Sequence, residues 1–161
     1  MQYVRHAAVL AIAAAAFAAP GAHAQTATQT VSYEVTAINE ISVTGSPSLV
    51  INDATAGSGL TSATASGTYA ITTNQTNRKI TAQLDTNMPS GVTLAVTLAA
   101  PTGGTSAGAV SLSTTAQDVV TGVSNANQSG LSIGYTLSAT VAAGVVPAGN
   151  RTVTYTITAG A

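Results

Sequence analysis

The sequence predicts an all-β protein, a two-layer antiparallel β-sandwich of the immunoglobulin-like or jelly-roll kind, preceded by a cleaved signal helix. Three observations predict it. Apolar and polar residues alternate with period two in segment after segment, which lines one face of a strand with apolar side chains and leaves the other wet. Clusters of Gly, Pro, Asn and Ser separate those segments into about eight to ten short strands. Beyond residue 24, no stretch carries a helical period.

Residues 1–24 read as an export signal. Arg5 and His6 give a short basic start, residues 7–19 are an apolar run, Pro20 and Gly21 break it, and Ala22-His23-Ala24 offers small residues for cleavage. The run falls short of the ~20 residues that a spanning helix needs, and no cysteine follows it to carry a lipid. The expected mature chain is residues 25–161, one domain by length, exported to the periplasm, the cell surface or the medium.

Loss of the signal removes His6, His23 and Phe17, so the mature chain has no His, Cys, Trp or Phe. Catalytic triads and dyads built on His or Cys are excluded, as are imidazole and thiolate metal sites. We expect no enzyme, no cofactor and no metal. Charge is equally sparse: Arg78, Lys79 and Arg151 stand against Glu34, Glu40, Asp53, Asp85 and Asp118. Without a basic patch, neither nucleic acid nor an anionic membrane is an expected partner. Few titrating groups also predict a stability that changes little between pH 5 and 8.

The elements follow in order. In TQTVSYEVTAINEISVTG, residues 28–45, the side chains of Val31, Tyr33, Val35, Ala37, Ile41 and Val43 share one parity. Ile38 is out of phase, which predicts a bulge or bend over 38–40, a place for the strand to pass between sheets. Leu49, Val50 and Ile51 form a short segment, and 52–67 reads as a loop of small residues. Tyr69 and Ile71, the turn NQTN at 74–77, and then Ile80, Ala82 and Leu84 read as a hairpin. A turn with Pro89 and Gly91 leads to a strand with Val92, Leu94, Val96 and Leu98. Weaker strands fit 109–113 and 118–123. Two strong ones close the chain, the first alternating from Leu131 to Val141 and the second carrying Val153, Tyr155 and Ile157 against a threonine row. Tyr33, Tyr69, Tyr135 and Tyr155 are all in phase with core residues, which predicts burial. An outer-membrane barrel would need aromatic girdles that four tyrosines cannot build.

Candidate sites have plainer explanations. Asp85-Thr86-Asn87 offers spaced oxygens, but a calcium loop needs more ligands in fixed order, and Asp and Asn are common turn residues. Three Asn-x-Ser/Thr matches, at Asn74, Asn127 and Asn150, are expected by chance in so Thr- and Asn-rich a chain. The row Thr152, Thr154, Thr156 and Thr158 suits the wet face of a sheet, and no fixed repeat extends it into an ice-binding array.

With an export signal, an alternating N-terminal strand, a sandwich-like middle and the closing stretch RTVTYTITAGA, the mature chain resembles secreted bacterial pilin-like proteins, especially spore-coat-U and archaic fimbrial subunits. The resemblance implies a sandwich lacking one strand, which the N-terminal extension of the next subunit supplies. It would make Val31, Tyr33 and Val35 the donor residues, with Val153, Tyr155 and Ile157 on the strand that edges the groove. The cysteines common in such pilins are absent, and the lead of about six residues before Val31 also suits insertion into the chain's own sheet. The expected function is therefore a secreted structural or surface-assembly protein, whose partner is itself or a related surface subunit. The alternative is a monomeric extracellular adhesin or glycan-binding sandwich.

Overall fold

Strands that are apolar on one face need a second layer to cover that face, and two antiparallel sheets provide it here. The computed structural model describes residues 24–160, so the expected signal segment lies outside the described residues except for Ala24. Among the described residues run β1 (Asn39–Thr44), β2 (Ala63–Thr73), β3 (Arg78–Leu84), β4 (Val92–Leu98), β5 (Thr105–Ser106), β6 (Val110–Ser111), β7 (Gln117–Val123), β8 (Asn127–Ala139) and β9 (Val153–Ala159). One sheet has the order β1-β2-β8-β4-β6 and the other β5-β7-β3-β9. A single 3-10 turn, Val141–Ala143, is the only helical element among the described residues.

Contacts divide the chain into Met1–Glu34 and Val35–Ala161. In the first unit, residues 24–34 carry no regular secondary structure and are exposed. The second unit holds all nine strands. Its core draws on both sheets, with Tyr69, Val96 and Ile133 from one and Ile80, Val119 and Val120 from the other in one cluster. Fully burying such a side chain contributes roughly 1.5–3 kcal/mol.

Every link after β1–β2 crosses from one sheet to the other. The predicted hairpin over 69–84 is therefore not one: β2 pairs with β1 and β8, whereas β3 pairs with β7 and β9. The physical reason lies at the rim, where residues 73–77 bond to the β7–β8 link. Thr73 N–H donates to Ala126 O (2.8 Å), Asn125 N–H to Gln75 O (2.9 Å) and Asn77 N–H to Ser124 Oγ (3.0 Å). Asn77 and Asn125 take left-handed φ values of 49° and 46°, a region asparagine enters more readily than most residues.

Three further expectations differ from the structure. Residues 63–67, read as loop, are the first half of β2, where Ala63 and Ala65 pair with Leu137 and Tyr135. The bend expected over 38–40 is instead the start of β1 at Asn39. Register shifts fall elsewhere: one between Tyr69 and Ile71, where β8 carries an extra residue beside Gly130 at φ 69°, and two in the β3–β7 pair, between Arg78 and Ile80 and between Ile80 and Thr81. Finally, Tyr33 is 94% exposed, whereas Tyr69 and Tyr135 are buried and Tyr155 half-buried.

Candidate functional site

The two ends of the layered unit differ. At one end, residues 105–113 lace the sheets together: β5 pairs with β7, Ala107 N–H donates to Val119 O (3.0 Å), and β6 pairs with β4. Leu112 N–H then bonds to Leu94 O (2.9 Å), and Leu84 N–H, from β3 in the opposite sheet, reaches Ser113 O (2.8 Å). Leu98, Val119 and Val120 beneath this lacing are fully buried.

The other end has no lacing. It is edged by β1 in one sheet and β9 in the other, each hydrogen-bonded to one neighbour only, β2 and β3 respectively. Core-facing residues are incompletely covered there. Ile41 is half-buried, and Val43, which lies opposite the buried Tyr69, is 52% exposed. Val153, Tyr155 and Ile157 share one face of β9 opposite Leu84, Ala82 and Ile80; the β3 residues are buried and their β9 partners are not. An edge strand with a free row of backbone N–H and C=O groups, over a half-covered apolar row, accepts another strand.

Of the residues singled out in the sequence, Val153, Tyr155 and Ile157 are thus brought together on the open edge. Tyr155 Oη–H donates to Tyr135 Oη (3.0 Å). Burial, then this bond and the nearby Tyr135 phenol, push the Tyr155 hydroxyl above its ordinary range. Val31 (73% exposed) and Tyr33 lie in the segment 24–34, and Val35, 81% exposed, begins the layered unit without a strand partner.

Sequence reading missed what holds the base of the N-terminal segment. Ile38 N–H donates to Asn74 Oδ1 (2.8 Å), Asn74 Nδ2–H donates to Thr36 O (2.8 Å), and Asn74 N–H reaches Ile38 O (3.4 Å). One residue later Thr73 Oγ1–H donates to Asn39 Oδ1 (2.8 Å), and Asn39 Nδ2–H to Gln75 Oε1 (2.9 Å). NQTN signalled a turn, but nothing local marks Asn74 as a clamp on residues 36–38.

A half-open cavity of about 200 Å³ lies where β9 begins, lined by Leu49, Met88, Leu94, Leu137, Val153 and Arg151 among others. Asp85 and Asn87, weighed as metal ligands, have oxygens engaged by main-chain N–H groups. Asp85 Oδ1 accepts from Thr86 and Thr152 (2.8 and 3.1 Å), and Asn87 Oδ1 accepts from Thr114 (3.0 Å). Comparison with protein-family models, curated proteins and solved structures finds no match for this chain.

Proposed function

We propose that this is an exported, non-enzymatic structural protein of pilin-like β-sandwich build, which assembles by lending residues 28–37 as a strand to the open β1/β9 edge of a second copy. The observation that carries the reading is a match of two incomplete halves. Val31, Tyr33 and Val35 form a period-two apolar row with no cover, and β9 offers a period-two apolar row with one side unpaired. Strand addition covers both at once, with main-chain bonds supplying affinity and alternate side chains supplying register.

The test is size analysis of the exported protein with and without residues 25–37. The full chain is expected to form oligomers and the truncated chain to be a monomer, whose stability returns when the peptide 28–37 is added. A full-length protein that stays monomeric at high concentration overturns the reading and leaves the adhesin alternative.

A further inference from the structure

The cavity at the start of β9 is half-open, and the edge strand's own Val153 lines part of it. At about 200 Å³ it is smaller than the ~300–1,000 Å³ of typical small-molecule pockets. Its wall is mixed: Leu49, Met88, Leu137 and Val153 are half-covered apolar residues packed against the core, and Asn150 and Arg151 add polar groups beside them, a combination that suits an amphipathic ring. A single side chain fits this size and chemistry better than a metabolite does.

Resting on the assembly reading above, we propose that this cavity seats the Tyr33 ring of the incoming copy and so fixes the register of the donated strand. Tyr33 is the one tyrosine of residues 25–161 that lies outside the strands, and it is almost wholly exposed. Its period-two neighbours fit the same register, because the cavity lies level with Val153. Seating Tyr33 there brings Val31 level with Tyr155 if the strands run antiparallel, or Val35 if they run parallel.

Charge supports the same occupant. Glu34 is the single charged side chain between residues 25 and 38. On the cavity rim, Arg151 is held by bonds from Nε to Asn87 O (3.2 Å) and from Nη1 to Asn150 O (2.7 Å). Among the described residues the one ion pair is Lys79–Asp118, so Arg151 has no carboxylate partner of its own. A guanidinium at the rim suits both the face of an arriving phenol ring and the acidic residue beside it.

Because residues 25–161 contain no cysteine, intermolecular disulfide trapping reads the register directly. Exported Tyr33→Cys protein is mixed with Leu49→Cys protein, and separately with Ile157→Cys protein, under mild oxidation. The expected result is a covalent heterodimer with Leu49→Cys and little with Ile157→Cys. As a second measurement, Tyr33→Ala should weaken self-association tenfold or more, while Tyr33→Phe keeps most of it. Trapping at Ile157 instead of Leu49, or an unchanged association constant for Tyr33→Ala, overturns the seat and leaves strand assembly standing. Absence of any heterodimer, from parent protein that is itself monomeric, overturns both.

Discussion

Replacing Val35 by Asp separates assembly from folding, because the two depend on this side chain to different degrees. In the single chain Val35 is 81% exposed and bonded into no strand. An exposed substitution of this kind changes stability by at most about 0.5 kcal/mol. For a domain of this size that is a shift of about 2 °C in the melting midpoint. In a donated strand the same side chain would lie in an apolar groove. Its burial there contributes about 1.5–3 kcal/mol, and a carboxylate in its place also loses several kcal/mol of hydration. A total loss of about 3 kcal/mol or more corresponds to a hundredfold or greater drop in association. Sedimentation velocity across a concentration series measures the assembly, and calorimetry on the dilute monomer measures the fold. The expected outcome is a monomer with an almost unchanged midpoint. A monomeric parent protein whose Val35→Asp variant melts more than about 5 °C lower would refute the reasoning, since the strand would then pair within its own sheet.

Ile80→Ala removes a fully buried side chain in the centre of the β9 sheet and should cost about 2–5 kcal/mol; the same change at half-buried Ile157 should cost less in the monomer. Urea midpoints of the two variants check the contrast, and equal losses would show that β9 is covered within the single chain. Burial pushes the Tyr69 hydroxyl up to about 12 and Tyr155 higher than its ordinary value, so the folded chain holds these protons more tightly than the unfolded one. Their contribution to stability is full below pH ~10 and is lost as pH rises toward the folded-state values. Urea midpoints at pH 8, 10 and 11.5 should fall across the last interval, and a flat profile would contradict the burial. Asn74→Ala removes two bonds to the base of the N-terminal segment, each worth about 1 kcal/mol. Amide exchange at Ile38 should accelerate severalfold, and unchanged protection would show that the clamp contributes nothing.

How much was legible depended on contrast in hydropathy. Val92, Leu94, Val96 and Leu98 alternate against Thr and Ala, and the strand they predict has the bounds of β4. Ala63 to Gly67 alternate too, but among small residues of similar hydropathy. That half of β2 is specified by its pairing with Leu137 and Tyr135, some 70 residues away. A two-residue strand such as β5, Thr105–Ser106, leaves no periodic trace at all. Alternation told which face of Val153, Tyr155 and Ile157 is apolar. It carried no information on whether a neighbour covers that face, and for the same reason it placed Tyr33 in a core the single chain does not provide. The clamp was invisible because Asn74 bonds to a residue 36 positions earlier.

That clamp bears on whether the N-terminal segment serves its own sheet or another's. To run back beside β1 or across to β9 of the same molecule, the chain would have to reverse between Val35 and Asn39. A tight turn over 35–38 closes with the amide of its fourth residue, and the Ile38 N–H is already given to Asn74 Oδ1. The Thr36 carbonyl is held as well, by Asn74 Nδ2–H. Reversal would break both bonds and, through Asn39, disturb those to Thr73 and Gln75. A second copy meets no such requirement, because its segment can approach the open edge in an extended form. The intramolecular route carries a cost of about 1 kcal/mol for each bond broken; both routes bear the ordering of the segment, and the intermolecular one adds the entropy of association, which concentration offsets. Protein concentration is therefore the variable that favours a donated strand over a self-inserted one.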